Sequence, residues 1–285
     1  NSSPEDAKEV KSRADLRLNA LGSGSDYTPF LQHAGVASLN LGFGGEDGGG
    51  SYHSIYDSYD HYTRFGDPGF NYGIALAQTN GRAVMRLANG DVLPFEFSGG
   101  ADAIAKYLKE VIQALDDMRK KTDEENAMIT SKYWEVTADP KETFIVPKKR
   151  EPVPYLNFSP LQNAVAELQA TVSEIAPYIN DSLYRKSLTK EQTMTFDAML
   201  MKMEQHLTSK EGLPGRPWYR HQLYAPGKYT GYGVKTLPAI REAIELRNWK
   251  EAEEQIVVVS DVFKNYTSNI RAIADFIKNL SVSGK

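Results

Sequence analysis

Cysteine is absent from the 285 residues, which removes disulfides, thiolate nucleophiles and cysteine-ligated zinc together. Any metal would have to rest on carboxylates and on the 5 histidines. No apolar run approaches the roughly 20 residues of a membrane span, and no signal-peptide pattern opens the chain. A positive excess is missing too. With a formal net charge of -4 and a pI near 5.8, the chain has no basic field to hold nucleic acid phosphates, so a nucleic acid partner is set aside. Three catalytic signatures are also lacking. No Lys-Ser/Thr pair follows Gly22-Ser23-Gly24 to make a P-loop, that turn lacks the frame of a nucleophile elbow, and no helix carries two histidines one turn apart. The chain opens on Asn1 rather than methionine, which reads as a processed or excised piece of a longer protein.

What is present suits a folded protein, with 41% hydrophobic and 25% charged residues. The densest chemistry lies at Ser51-Tyr52-His53-Ser54-Ile55-Tyr56-Asp57-Ser58-Tyr59-Asp60, behind a glycine-rich run over residues 42–50. Ahead of it, Ser3-Pro4-Glu5-Asp6 reads as a helix start. Tyr27 to His33 fits a short helix stopped by Gly35, and Val36 to Leu41 alternates like a half-buried strand. Helix, strand, then glycine-rich loop is an α/β pattern, in which functional groups gather at strand ends. Asp67-Pro68 can start a further helix reaching Asn89, with Gly81 weakening its middle.

Past Leu93-Pro94 the character changes. Ile104, Leu108, Val111, Ile112, Leu115 and Met118 recur at helical spacing, so a domain boundary falls near Phe97 to Gly100, giving units 1–97 and 98–285. Thr122 to Pro154 is polar and proline-interrupted, and reads as an ordered excursion anchored by Trp134 and Phe144. Ser159-Pro160-Leu161-Gln162 and Thr189-Lys190-Glu191-Gln192 both have capping-box form. A last helix runs from about Trp249 to Leu280, so four amphipathic helices can close a bundle. Between the last two lies Gly212 to Tyr229, whose prolines, glycines, aromatics and cations suggest a functional loop.

Among the histidines, His33 and His206 read as packing or surface residues and His61 as a solvated helix residue near the motif. His221 reads as a structural hydrogen-bonding group. His53 alone has the setting of a metal ligand, and one histidine is not a site, since zinc takes about three or four protein ligands.

Several blocks in a fixed order add to this: Leu21-Gly22-Ser23-Gly24-Ser25-Asp26, Tyr52 to Tyr59, Leu87-Ala88-Asn89 with Leu93-Pro94-Phe95, Gly212-Leu213-Pro214 to Tyr224-Ala225-Pro226, and Lys228-Tyr229. Together they resemble glutamate carboxypeptidase II and its bacterial relatives, a family of di-zinc exopeptidases. Its last part is a helical domain shared with the transferrin receptor, where it mediates dimerisation. The resemblance implies an α/β fold class: the C-terminal part of a zinc-peptidase α/β sandwich over residues 1–97, then a mainly helical dimerisation domain over 98–285.

By the same resemblance His53 is the last ligand of a two-zinc site and Tyr52 the phenol that steadies the oxyanion. Ser23, Gly24 and Ser25 line the substrate, and Lys228 with Tyr229 grips its terminal carboxylate. A neutral imidazole suits zinc, and an ammonium beside a phenol suits a carboxylate. The family's acid-recognising arginines are replaced by Asn40 and Gly42, which puts acidic side-chain specificity in doubt. The remaining zinc ligands and the general-base glutamate belong upstream. Asn1 to Ala20 has only Glu5, Asp6, Glu9 and Asp15 and no histidine, so the chain by itself is expected to be silent and unable to hold both zincs. The expectation is a metallopeptidase acting on peptides, homodimeric, and extracellular, periplasmic or membrane-associated as its family is. The alternatives are an aminopeptidase specificity, or a non-catalytic receptor-like interaction module.

Overall fold

The computed structural model describes residues 8, 11, 18–43, 51–139, 141, 145, 147–179 and 188–283, with side chains to 279. The expected helix start at Ser3, the carboxylates Glu5, Asp6, Glu9 and Asp15, residues 44–50 of the glycine run, and Phe144 lie outside the described residues. Seven helices are labelled here in chain order: α1 Asn71–Ala88, α2 Ser98–Thr130, α3 Tyr133–Thr137, α4 Ser159–Ile179, α5 Lys190–Met201, α6 Pro238–Glu245 and α7 Trp249–Ser283. The described sheet is one antiparallel hairpin, β1 Tyr224–Pro226 with β2 Val234–Thr236, in the register Tyr224 to Thr236 and Pro226 to Val234.

The four expected amphipathic helices form and share one core. Ile104, Leu108, Val111 and Leu115 of α2 turn toward Leu161, Val165, Leu168, Val172 and Ile175 of α4. The longest helix, α7, inserts Ile256, Val259, Phe263, Ile270 and Ile273, all at 0–1% exposure. Each such side chain adds about 1.5–3 kcal/mol by leaving water. Outside the core, α7 is laced to α4 by Arg271 to Glu167 at 2.7 Å and Lys278 to Glu174 at 3.2 Å. The start of α5 has the reciprocal cap its sequence implied. Gln192 N donates to Thr189 Oγ1 at 3.3 Å, and Thr189 N to Gln192 Oε1 at 2.8 Å. At the start of α4, Asn157 Oδ1 accepts from Ser159 N at 3.0 Å.

Three expectations are corrected. The excursion expected from Thr122 begins later, because α2 continues to Thr130. Thr122 is 1% exposed, and its hydroxyl bonds to Met118 O at 2.7 Å while accepting from Arg247 Nη2 at 2.5 Å. The end of the excursion is anchored by buried Val153, with Leu156 and Phe158 buried just beyond it and the Arg119 guanidinium donating to Val153 O at 3.4 Å and Pro154 O at 3.0 Å. Trp134, on α3, is only partly buried.

Second, the helix expected to weaken at Gly81 runs through it as α1, where a Cβ would meet nothing. Its start is held by Asp67, whose carboxylate accepts from Gly73 N at 2.8 Å and Tyr72 N at 3.2 Å. Burial alone would raise that carboxyl. The amide bonds and the Tyr62 hydroxyl outweigh it and hold the group below the usual carboxylate range.

Third, the segment Val36 to Leu41 pairs with no strand among the described residues, and the α/β sandwich expected for 1–97 is not seen there. Val36, Leu39 and Leu41 are exposed, and α1 buries none of its residues. A strand needs a neighbour for its amides and carbonyls and a layer for its apolar face. Before Phe97 the one buried hydrophobic residue described is Leu31.

Phe263→Ala should cost about 3–5 kcal/mol, read from guanidinium unfolding followed by helical circular dichroism. Burial raises the phenols of Tyr224 and Tyr266 well above their ordinary value. The folded state therefore binds these protons more tightly than the unfolded chain, and their contribution is complete below the unfolded value near pH 10 and declines above it. Unfolding measured from pH 8 to 11.5 should lose stability above pH 10, and Tyr266→Phe should flatten that slope.

Candidate functional site

The site begins with a wide helical turn, Pro29–Ala34, closed by Gly35 at φ 65°. A left-handed stop suits glycine, and here a Cβ would press on Gln205 Cα. The turn places Gln32 in full burial. Its side-chain amide donates to the carbonyl of Gly22, and its own carbonyl accepts from Arg220 N at 2.8 Å and His221 N at 3.1 Å. One buried glutamine thus ties the Leu21 to Ser25 turn to the Gly212 to Tyr229 loop. His33 reinforces the junction by stacking on Trp218, with ring centroids 5.0 Å apart, and Nδ1 donates to Trp218 O at 2.7 Å.

The loop after residue 212 leads into the hairpin, whose connection carries Lys228, Tyr229 and Tyr232. Glu242 of α6 anchors it from beneath: Oε1 accepts from Lys228 N at 2.6 Å, and Oε2 pairs with Arg216 Nη2 at 2.8 Å. Arg216 Nη1 also donates to Pro226 O at 2.5 Å. Both side chains of the pair are nearly buried, at 13% and 12% exposure. His221 is structural, as its sequence setting suggests. Nδ1 accepts from Leu223 N and Tyr224 N, and Nε2 donates to Glu204 at 2.9 Å.

The hairpin delivers Tyr232 to the other two motif segments. Ser23 N donates to Tyr232 O at 3.1 Å. The Tyr232 ring covers Gly24, which sits at φ 89° and has no room there for a side chain. The same ring stands edge-on to His53, centroids 6.4 Å apart at 69°. Tyr52 stacks on His53, centroids 3.8 Å apart. His53 is exposed, takes φ 60°, and makes no hydrogen bond among the described residues.

So Ser23, Gly24, Tyr52 and His53 come together through Tyr232. Ser25 is adjacent in the turn, its carbonyl accepting from Thr28 N at 3.1 Å. Lys228 and Tyr229 share the hairpin, with the ammonium 5.9 Å from the phenol ring. No described contact joins either to His53. Sequence reasoning missed Tyr232, Gln32 and Glu242. Tyr232 could have been sought three residues past Lys228-Tyr229, whereas a lone glutamine and one of many glutamates carried no signal.

Of the other histidines, His61 lies beside Ser51 Oγ at 3.4 Å and against the Phe65 ring. His206 meets Asn265, and burial, then Lys202, lowers its affinity for a proton. Among the described residues no group of three or more histidines and carboxylates could hold a metal. His53 offers one nitrogen, which does not by itself fit a zinc needing about three or four ligands. No described helix is long and apolar enough to cross a membrane.

The bundle with its docked hairpin matches a known domain: residues 156–271 match the transferrin receptor-like dimerisation domain. The chain is similar to a protein of Arthroderma benhamiae named probable glutamate carboxypeptidase, 34% identical over 242 residues, covering 84% of this chain and 28% of that protein. It is also similar to the aminopeptidase NAALADL1 of Mus musculus, 24% identical, covering 90% and 32%. An inactive zinc metalloprotease of Schizosaccharomyces pombe is 21% identical, covering 81% and 26%. The chain fits the C-terminal part of a glutamate carboxypeptidase II-like peptidase. It spans less than a third of the length of these curated relatives.

Glu242→Ala leaves Arg216 buried without its partner, so a loss of about 3–5 kcal/mol is expected. Amide exchange at Lys228 should accelerate with it, while core amides of α4 change only in proportion to global stability.

Proposed function

We propose that this chain is the C-terminal portion of a zinc-dependent exopeptidase of carboxypeptidase type. Residues 1–97 are the end of its peptidase domain and residues 98–285 its dimerisation domain, through which two copies pair. One observation carries this: the hairpin of the helical domain reaches the Ser23-Gly24 turn and His53, so three segments far apart in sequence converge at one exposed corner.

In this assignment His53 supplies one ligand to a zinc site whose other ligands, for two ions, come from outside this sequence. Zinc held at the completed site would activate water and polarise the scissile carbonyl. Tyr52, beside His53, is placed to donate its phenol proton to a developing oxyanion. Ser23, Gly24 and Ser25 line the peptide, and Lys228 with Tyr229 receives its terminal carboxylate as a point cation plus a hydroxyl donor. On its own the chain binds no pair of metals and hydrolyses nothing. The family resemblance supports a protein that works outside the cytoplasm or at a membrane surface.

An aminopeptidase specificity is the second reading. It is favoured by the named activity of the mouse relative and by neutral Asn40 and Gly42 where the carboxypeptidase pattern has arginines. The non-catalytic module is the third, and the inactive relative is its support.

The full-length gene product should contain two zincs per chain by metal analysis and release C-terminal residues from blocked dipeptides. His53→Ala should lower kcat/KM by at least about a hundredfold, as loss of a metal-site contact does. Cleavage of free but not N-blocked substrates selects the aminopeptidase. A metal-free, inactive dimer selects the receptor-like module.

A further inference from the structure

Gln32 puts an amide where an apolar side chain of the same size would fill the space at less cost. It is fully buried, and its amide nitrogen donates to the carbonyl of Gly22 and reaches that of Leu21 at 3.5 Å. The amide oxygen is buried as well and has no hydrogen-bond partner among the described residues. An unmatched buried acceptor is destabilising, so packing alone gives no reason for a glutamine here. What the amide contributes is its bond to the Leu21 to Ser25 turn.

The hairpin fixes the same turn from its own backbone. Ser23 N donates to Tyr232 O at 3.1 Å, and Gly22 lies so close to that oxygen that a Cβ would collide with it. Gly22 therefore has its carbonyl taken by Gln32 and its Cα against the hairpin, which leaves Ser23, Gly24 and Ser25 little freedom to shift. The Gln32 main-chain carbonyl meanwhile accepts from Arg220 N at 2.8 Å and His221 N at 3.1 Å. Those main-chain bonds persist in any substitution, so the side chain alone carries the link to the turn. A residue already fully buried stays so whatever further chain surrounds it.

Resting on the peptidase reading above, we propose that Gln32 is a positioning residue: through Gly22 it sets where Ser23, Gly24 and Ser25 meet the peptide. No described contact joins it to Tyr52 or His53, so its loss is felt in how the peptide is held and not in the bond-breaking step. Contacts that hold a substrate equally in the ground state and the transition state govern KM and leave kcat in place.

The test compares the full-length protein with Gln32→Met and Gln32→Asn on a dipeptide that wild type hydrolyses. The first keeps the volume without the donor, and the second keeps an amide one methylene too short for Gly22. Each should raise KM about tenfold, as loss of one buried hydrogen bond does, with kcat within about twofold of wild type. Gln222→Met is the control. That glutamine is equally buried, donates to Arg220 O at 2.9 Å and has no described contact with the turn, so it should lose stability comparably in thermal unfolding and keep the wild-type KM. A fall in kcat at unchanged KM, a wild-type KM in both Gln32 variants, or the same KM rise in Gln222→Met overturns the proposal while leaving the peptidase reading in place. No hydrolysis of any dipeptide, free or blocked, by zinc-loaded wild type overturns the peptidase reading and this proposal with it.

Discussion

The ion pair between Glu242 and Arg216 is the constraint on which the candidate site depends. A two-strand hairpin is marginal in water by itself, and this one has only three residues in each strand. Its position comes from α6, which offers one carboxylate to an arginine and to a backbone amide of the loop at once. Two nearby groups from α6 do similar work: Arg241 donates to Thr236 O at 3.0 Å and Glu245 accepts from Lys235. Since α6 is itself packed on α7, the aromatic corner at Tyr232 is referred through one buried pair to the centre of the bundle.

Stability is distributed unevenly along the chain. Among the described residues, nearly all buried hydrophobic ones lie from Phe97 onward, in a core closed by α2, α4, α5 and α7. Before Phe97 the described residues keep many large apolar groups in solvent, among them Ile55 at 91% and Tyr56 at 74% exposure. Exposed apolar area of this extent is unfavourable for an isolated surface and suits a surface meant to be covered. The motif segments thus sit on the weakly packed side, and their order is borrowed from the helical side through Gln32, Tyr232 and Gly35.

How far the sequence was legible followed the range of the interaction. Spacing of three and four located α2, α4, α5 and α7, because each helix declares its own buried face. The Thr189 cap and the Gly35 stop were readable for the same reason, both being satisfied within a few residues. The continuation of α2 past Met118 was not readable. It rests on Thr122 meeting Arg247 from the far end of the chain. Alternation at Val36 to Leu41 suggested a strand, but alternation states only which face would be buried and supplies no neighbouring strand.

For the candidate site, ordered motif blocks singled out Ser23, Gly24, Ser25, Tyr52, His53, Lys228 and Tyr229, and the fit to the C-terminal part of a glutamate carboxypeptidase II-like peptidase rests on their order together with the matching domain. Side-chain chemistry and local periodicity are properties of the chain itself, so the sequence alone determined the four amphipathic helices, the absence of cysteine chemistry and which side chains were candidates for the site. Only the tertiary structure decided which of them meet. Gln32, Tyr232 and Glu242 act across separations of 10 to about 210 residues, where the pairing of one amide, one ring or one carboxylate depends on how the helices pack and on nothing local.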